Sequence, residues 1–255
     1  MTELSVIIIA KNEAANIRAC IASVAWADEI IVVDSGSTDD TAKIAREMGA
    51  KVHVHADWPG FGPQKNRALG YATGAWVFSI DADERVTQEL RSEIEQAIRK
   101  VDADGYYCPR LSQFCGKFIH HCGWYPDYVL RLFRRNAGRF SDSLVHESVL
   151  LTGNTARLKS PLLHYSYISQ DDVARKVEHY SNAAAQQMFE SGKHSNWLGA
   201  ALSGCWAFVR TYLLRMGVLD GLAGWSIACM NARTTYLKYR KLAALHLQRC
   251  HPRPR

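Results

Sequence analysis

Two carboxylates, Asp81 and Asp83, stand one residue apart where an apolar run, Ala75–Ile80, comes to an end. Oxygen ligands in that arrangement suit a hard divalent cation, Mg²⁺ or Mn²⁺, which keeps waters and takes substrate phosphates as further ligands. A lone Asp-x-Asp is usually a solvated turn, and its position in the chain is what sharpens this one. Asp34 ends an earlier apolar run, Glu29–Val33, where an acid can accept hydrogen bonds from a ribose or base. Its bland role is to cap the next helix, but Ser37, Thr38 and Asp39 can already do that, so Asp34 reads as spare. Arg131, Arg134 and Arg135 lie in a strand-like RLFRR. Alternation puts Arg131 and Arg135 on one face, where they would meet a diphosphate or a phosphorylated acceptor, unless the run is a solvated edge strand. Cys108, Cys115 and Cys122 recur every seven residues beside His120 and His121. Zinc sites favour tighter Cys pairs, so these read as packing thiols.

The elements that must position these groups follow from the apolar pattern. Leu4–Ala10 is a continuous apolar run, as in a strand buried on both faces. Ile17, Cys20, Ile21 and Val24 share one helical face, with Asn12 as N-cap. Glu29–Val33 is the second strand. Ser37 with Asp40 resembles a capping box for a helix from Asp39 that stops at Gly49. Lys51–His55, a helix over Gln64–Tyr71 and the strand Ala75–Ile80 complete an alternating order that predicts a parallel, doubly wound α/β sheet. Ligands of such sheets sit beyond the C-terminal strand ends. Ala10–Glu13, Asp34–Thr38 and Asp81–Asp83 should therefore meet in one crevice. Further helices are expected over Thr87–Val101, Asp171–Ser191 and Trp197–Met216, short strands within 105–165, and disorder in the final HPRPR.

Composition excludes several classes. With 255 residues, 47% of them hydrophobic and 22% charged, the chain has ample material for a core and is not disordered as a whole. Seven cysteines are too few for a disulfide scaffold, so the thiols read as reduced and the compartment as the cytosol. The start, MTELSVIIIAKNE, lacks the pattern of a secretory signal. Neither GxGxxG nor GxxxxGK[ST] occurs, which removes the main support for a dinucleotide dehydrogenase or a P-loop NTPase. Charge is uneven: residues 1–156 carry 17 basic and 20 acidic side chains, residues 157–255 carry 14 and 5. The back of the chain should favour an anionic partner.

SVIIIAKNEAANI, EIIVVDSGSTDDT and GPQKNRALGYATGAWVFSIDADE together resemble the nucleotide-sugar domain of family 2 glycosyltransferases. YPDYVLRLFRRNAGRF, LVHESV and the stretch from FVRTYLLRMGVLDG on resemble one branch, the bacterial lipopolysaccharide inner-core β-glucosyltransferases. The resemblance implies a Rossmann-like GT-A fold and inverting transfer of a hexose, glucose from UDP-glucose, to an inner-core heptose. It divides the chain into a nucleotide-sugar half (1–100), an acceptor half with a catalytic loop (101–165) and a basic helical extension (166–255). It places Ala10, Asn12 and Glu13 around the nucleotide, Asp34 at the uridine, Lys65 and Arg67 by the base and diphosphate, Asp81 near the ribose and Asp83 on the metal. His164 would serve the metal or diphosphate, or simply pack. Two acids compete for the role of base: Glu147, with His146 beside it to contact the diphosphate, and Asp127, which otherwise orients acceptor or sugar. Either would instead be a salt-bridge partner of the local arginines.

The implied acceptor, a lipid A-core oligosaccharide, lies at the inner face of the cytoplasmic membrane. Trp197, Ala201, Cys205, Phe208, Tyr212 and Met216 recur at steps of three and four, while Ser195–Val209, the longest uncharged stretch there, is fifteen residues against the roughly 20 of a span. A helix lying in the interface is therefore expected, giving a cytoplasmic protein peripheral on the inner membrane. Three other functions remain in view: transfer to a polyprenyl phosphate, a phosphohydrolase using Asp81 and Asp83, and a nucleic-acid binder using the basic tail. Arg85 stands where the phosphohydrolase pattern wants Thr or Val. The tail holds no recognisable nucleic-acid module, so no nucleic-acid partner is expected.

Overall fold

The computed structural model describes residues 3–142, 148–167 and 169–250. In chain order its elements are β1 (Leu4–Ala10), α1 (Ala14–Ser23), β2 (Glu29–Asp34), α2 (Thr41–Glu47), β3 (Lys51–Val54), α3 (Phe61–Tyr71), β4 (Trp76–Ser79), β5 (Glu84–Val86) and α4 (Gln88–Lys100). Short strands follow: β6 (Gly105–Phe114), β7 (Lys117–Phe118), β8 (Asp127–Arg134), β9 (Gly138–Phe140), β10 (Val149–Leu151), β11 (Thr155–Arg157) and β12 (Leu162–Tyr167). The last elements are helical: α5 (Gln170–Glu190), α6 (Trp197–Val209), a π-turn at Arg210–Leu214, a 3₁₀ turn at Gly217–Asp220 and α7 (Leu222–Cys250).

The main sheet runs β3-β2-β1-β4-β8-β6-β12-β5. Its first four strands are parallel, as the alternating helices require. β8 then joins β4 antiparallel, and β12 joins β5 antiparallel. β1 alternates between two cores: Val6, Ile8 and Ala10 enter one cluster and Ile7 the other. Val32, Trp76 and Phe78 follow the first, while Ile31, Val33 and Val77 follow the second. Burial on both faces is why these strands read as unbroken apolar runs.

Several boundaries differ from the sequence reading. α3 begins at Phe61 rather than Gln64: Gly60 turns the chain at φ 116° and Pro63 sits in the first turn, where its missing N–H costs nothing. Asn12 does not cap α1. It adopts φ 57°, and its carboxamide oxygen accepts from Thr38 N (2.8 Å). The capping box is absent too: Ser37 Oγ donates to Asp34 (2.5 Å), and Asp40 makes no side-chain cap. The Trp197–Met216 helix stops at Leu214, and its last five residues, Arg210–Leu214, widen into a π-turn. α7, with 29 residues, is unannounced by periodicity because it packs on both α5 and α6, which spreads its apolar positions around the axis.

The chain forms two compact units: Met1–Leu111 with Pro126–Tyr165, and Ser112–Tyr125 with Ser166–Arg255. Within the helical unit, the buried Asp220 carboxylate accepts from His121 N (2.9 Å) and lies 3.2 Å from His121 Nδ1. Lys117 Nζ donates to the Asp220 carbonyl (2.7 Å). The Cys122 thiol lies against this carboxylate and is pushed up to about 12, by burial first and then by the acid. Cys108 is instead buried in the main core of the first unit, so the heptad-spaced thiols do not form one cluster.

In the first unit, Glu29 ties strand ends together. Its carboxylate accepts from Ser5 Oγ (2.5 Å), Thr73 N (2.9 Å) and Lys51 Nζ (2.7 Å). Ser5 Oγ also accepts from Gly74 N (2.8 Å), and a Cβ on Gly74 would lie 2.7 Å from Ser5 N, so only glycine fits there. Burial would raise the Glu29 carboxyl, but Lys51, Ser5 and Thr73 outweigh it and hold it at about 2. Folded Glu29 thus releases its proton more readily than unfolded Glu29, so its stabilisation is present above pH 4.5 and is lost as pH falls toward 2. Glu29→Gln should cost about 2 kcal/mol at neutral pH and flatten the acid limb of the stability curve over that window. Urea melts at stepped pH measure this, and an unchanged acid limb would contradict it.

Candidate active site

The C-terminal ends of β1, β2 and β4 lie side by side, and hydrogen bonds lace the loops after β1 and β2 together; of the three clusters expected in one crevice, Ala10–Glu13 and Asp81–Asp83 contribute to the cleft lining and Asp34–Thr38 does not. Asn12 N donates to Ser37 Oγ (2.9 Å), Glu13 N to Thr41 Oγ1 (2.7 Å) and Ala14 N to Asp39 Oδ2 (3.1 Å). Asp34 is not spare. It is buried and accepts from Gly36 N (3.1 Å), Ser37 N (2.9 Å) and Ser37 Oγ, which fixes the turn that receives Asn12. Gly36 must be glycine: its φ is 76°, and Ala56 Cα would lie 3.2 Å from a Cβ.

Beyond these loops lies a cleft of about 480 Å³. Ala10, Lys11 and Glu13 line one part of it, and Asp81, Ala82, Asp83 and His164 another. Trp58 and Phe61 add an aromatic wall, with their rings edge to face at 4.9 Å. Burial pushes the Glu13 carboxyl up, and Asp83 and Asp39 push the same way against a hydrogen bond from Asn16.

Asp81 and Asp83 have opposite surroundings. Asp81 is held on both oxygens, Oδ1 by Lys65 Nζ (3.0 Å) and Oδ2 by Arg131 Nη2 (2.6 Å). The same Arg131 nitrogen bonds Glu84 Oε1 (2.6 Å), and Glu84 Oε2 accepts from Asp81 N (2.9 Å). Lys65, Glu84 and Arg131 are all buried. Burial alone would raise Asp81, but Arg131 and Lys65 hold it well below the usual carboxylate range. Burial pushes Glu84 up against the pull of Arg131. Asp83 faces the cleft with Oδ2 3.3 Å from His164 Nε2, and its carbonyl accepts from Tyr165 N (2.9 Å), so β12 brings the imidazole to the motif.

The remaining expected site residues are dispersed. Arg131 is a buried strut on Asp81 and Glu84, not a free phosphate ligand. Arg135 Nε donates to Gly74 O (3.1 Å), away from the cleft lining. Arg67 pairs with Asp57 (2.5 Å), whereas its neighbour in sequence, Lys65, reaches Asp81. Asp127 does not line the cleft. Arg110 grips its Oδ2 through Nε (3.0 Å) and Nη2 (2.6 Å), so its ion-pair partner is Arg110 rather than Arg131, Arg134 or Arg135. Glu147 and His146 lie outside the described residues.

Three cleft-side groups, Glu84, Trp58 and Phe61, escaped the sequence reading, and a fourth, Lys11, was given no role of its own within Ala10–Glu13. Glu84 stands directly after the Asp-x-Asp, and an acid there was the available signal. Lys11, between Ala10 and Asn12, is the cation that lines the cleft itself. Trp58 and Phe61 flank Pro59-Gly60, a turn whose paired aromatics marked it. Among the described residues no group of three or more His, Cys, Asp and Glu is arranged around a metal position. Asp83 with His164 is a two-donor set, which suits a cation that takes its other ligands from phosphate oxygens and water.

Residues 5–143 match the model for glycosyl transferase family 2. A Rickettsia prowazekii protein described as an uncharacterised glycosyltransferase is 31% identical over 261 residues, covering 97% of this chain and 89% of its own. The lipopolysaccharide core biosynthesis glycosyltransferase LpsC of Rhizobium meliloti is 32% identical over 261 residues, covering 98% and 95%. The crystal structure of residues 1–349 of S. aureus TarS superposes with a TM-score of 0.50 at 17% identity, covering 98% of this chain and 93% of that one; the likeness is one of fold, of the GT-A kind. By its matching domain and by relatives aligned over nearly its whole length, the chain belongs to glycosyltransferase family 2.

Proposed function

We propose that this glycosyltransferase moves a hexose, glucose from UDP-glucose, onto a heptose of the lipopolysaccharide inner core, with inversion at the anomeric carbon. The observation that carries the reading is the split role of the two aspartates: one immobilised in a buried ion network, the other open to the cleft beside His164. The near-full-length likeness to a relative named for lipopolysaccharide core biosynthesis supports the acceptor class.

In this reading Ala10, Asn12, Glu13 and Asp34 shape the nucleotide subsite. The lacing of their loops means little rearrangement is needed when the donor arrives. Asp81, ionised and fixed in direction, accepts a ribose hydroxyl. Lys11 neutralises part of the diphosphate charge, and Trp58 with Phe61 gives the donor a water-poor wall. Asp83 and His164 would hold Mg²⁺ or Mn²⁺, which when bound supplies the positive charge against which the diphosphate departs. Glu147, beside His146, takes the proton of the acceptor hydroxyl. Asp127, held by Arg110, orients the acceptor. The enzyme works at the cytoplasmic face of the inner membrane, where such an acceptor lies.

Asp83→Asn and His164→Ala should each lower UDP release from UDP-glucose by about a hundredfold or more while leaving the melt unchanged. A nucleotide-sugar panel with and without Mn²⁺ reads this directly, and full turnover in EDTA would refute the metal assignment. Arg131→Met leaves Glu84 buried without its counter-charge and should cost about 3–5 kcal/mol. Adding Glu84→Met should recover a good part of that loss. Thermal melts of the two single variants and the double variant test the coupling, and strictly additive losses would show that the pair is not one unit.

A further inference from the structure

The helical unit carries its polarity inside out along α6 and the segment after it. Leu198, Leu202, Trp206, Val209 and Leu213 follow steps of four and three, one stripe of a helix. In a water-facing helix that stripe would be polar. Here Leu198 is 70% exposed, Leu202 62%, Trp206 58% and Leu213 57%. The buried residues of α6, Ala200 and Gly204, are small instead. Gly204 is buried, and a Cβ there would lie 3.2 Å from Ala232 O and 3.1 Å from Tyr236 Cβ. Around Gly204 the helices therefore approach closely, while Leu198, Leu202 and Trp206 stay exposed. Of the stripe read in the sequence, Trp197, Ala201, Cys205 and Met216 are exposed as well, whereas Phe208 and Tyr212 pack against Trp225 (5.0 and 5.4 Å between rings). Beyond the turn the exposure continues, and Leu222 is 87% exposed. Continuous apolar surface of this kind marks a binding face.

Charge identifies the occupant. Between Trp197 and Trp225 the charged residues are Arg210, Arg215 and Asp220. Both arginines are exposed, whereas Asp220 is buried and spent on His121 and its backbone. No acid follows Asp220 in the sequence. Along Trp197–Trp225 the exposed charges are thus both cationic. A second copy docked by a two-fold axis through this face would bring arginines against arginines, with no exposed acid along Trp197–Trp225 to neutralise them. No described helix is long and apolar enough to cross a bilayer.

We infer that this face of the helical unit is a membrane-docking surface lying flat in an anionic bilayer. Leu198, Leu202, Trp206 and Leu213 enter the headgroup–acyl boundary, and Arg210 and Arg215 meet lipid phosphates. Trp206 suits that boundary because its ring is apolar and its N–H polar. The inference deepens the proposed membrane acceptor by naming the contact surface. It rests on the helical unit alone, so vesicle binding and donor turnover are read separately.

Full-length protein is sedimented with vesicles of phosphatidylethanolamine and phosphatidylglycerol, or of phosphatidylcholine alone. Binding should be confined largely to the anionic vesicles, and lipids brominated near the headgroup should quench tryptophan emission less in Trp206→Phe. Arg210→Gln with Arg215→Gln should weaken partitioning about 30-fold. Leu202→Asn with Leu213→Asn should abolish it while keeping the melting temperature and donor turnover, since both positions are exposed. Three results would overturn the inference: protein left in the supernatant with anionic vesicles, binding indifferent to Leu202→Asn with Leu213→Asn, or a dimer by light scattering that these two changes dissociate. Vesicle binding without UDP release from any donor would leave this surface standing and sink the proposed reaction.

Discussion

Four charged side chains, Lys65, Asp81, Glu84 and Arg131, are packed against one another at the floor of the cleft, and the site depends on their mutual neutralisation. Each, taken from water alone, would cost several kcal/mol. Together they form two cations and two anions joined by contacts of 2.6–3.0 Å. The arrangement closes only if α3, β4, β5 and β8 deliver their residues to one point. It therefore couples the antiparallel half of the sheet to the motif that ends the parallel half. Its functional consequence is directional: with both its oxygens occupied, Asp81 cannot swing, and the chain leaves it at a defined angle that turns Asp83 toward His164.

The rest of the cleft follows from a sheet buried on both faces. β1 cannot shift without disturbing two cores, so the loop after it starts from a fixed place. Polar side chains then fix the loops themselves. Asn12 accepts the left-handed conformation and uses its carboxamide to hold Thr38, and Asp34 closes the turn on which Thr38 sits. Close approaches at Gly36 and Gly74 remove slack at the margins. A loop pinned in this way keeps its backbone and acids in place, which would lower the ordering cost of any ligand bound there.

The helical unit solves a different problem. Its hub is polar and inside, with the Asp220 carboxylate taken by backbone N–H and imidazole, while its outer surface along α6 is apolar. Gly217 and Gly224 allow the turn and α7 to approach so closely that a Cβ on Gly224 would lie 1.8 Å from Gly217 O. The likeness to LpsC spans 98% of the chain and so includes this unit.

What was legible in the residues was whatever depends on local pattern. Continuous apolar runs announced the parallel strands, because burial on both faces leaves no room for polar alternation. Turn chemistry marked the three loops at their ends. Asp83 beside a strand terminus, and the failure of any uncharged stretch to reach the length of a span, could likewise be read directly. Tertiary structure decided the partners. Arg131 and Arg135 share a face in sequence, yet β8 lies inside the sheet, so Arg131 is consumed by Asp81 and Glu84 while Arg135 goes to a backbone carbonyl. Asp34 reads as spare in the sequence because its neighbours can cap the next helix; Asp39 does accept from Thr41 N, but Ser37 and Thr38 bond across to the first loop and Asp34 closes the turn between them. Asp127 found Arg110 because β6 and β8 set those residues opposite each other in register. His164 reaches Asp83 through an antiparallel return of about eighty residues, and no spacing rule encodes such a contact. α7 escaped because a helix packed on two neighbours carries no single apolar stripe. Periodicity reports which side of an element avoids water; it does not report which charge will stand across from it.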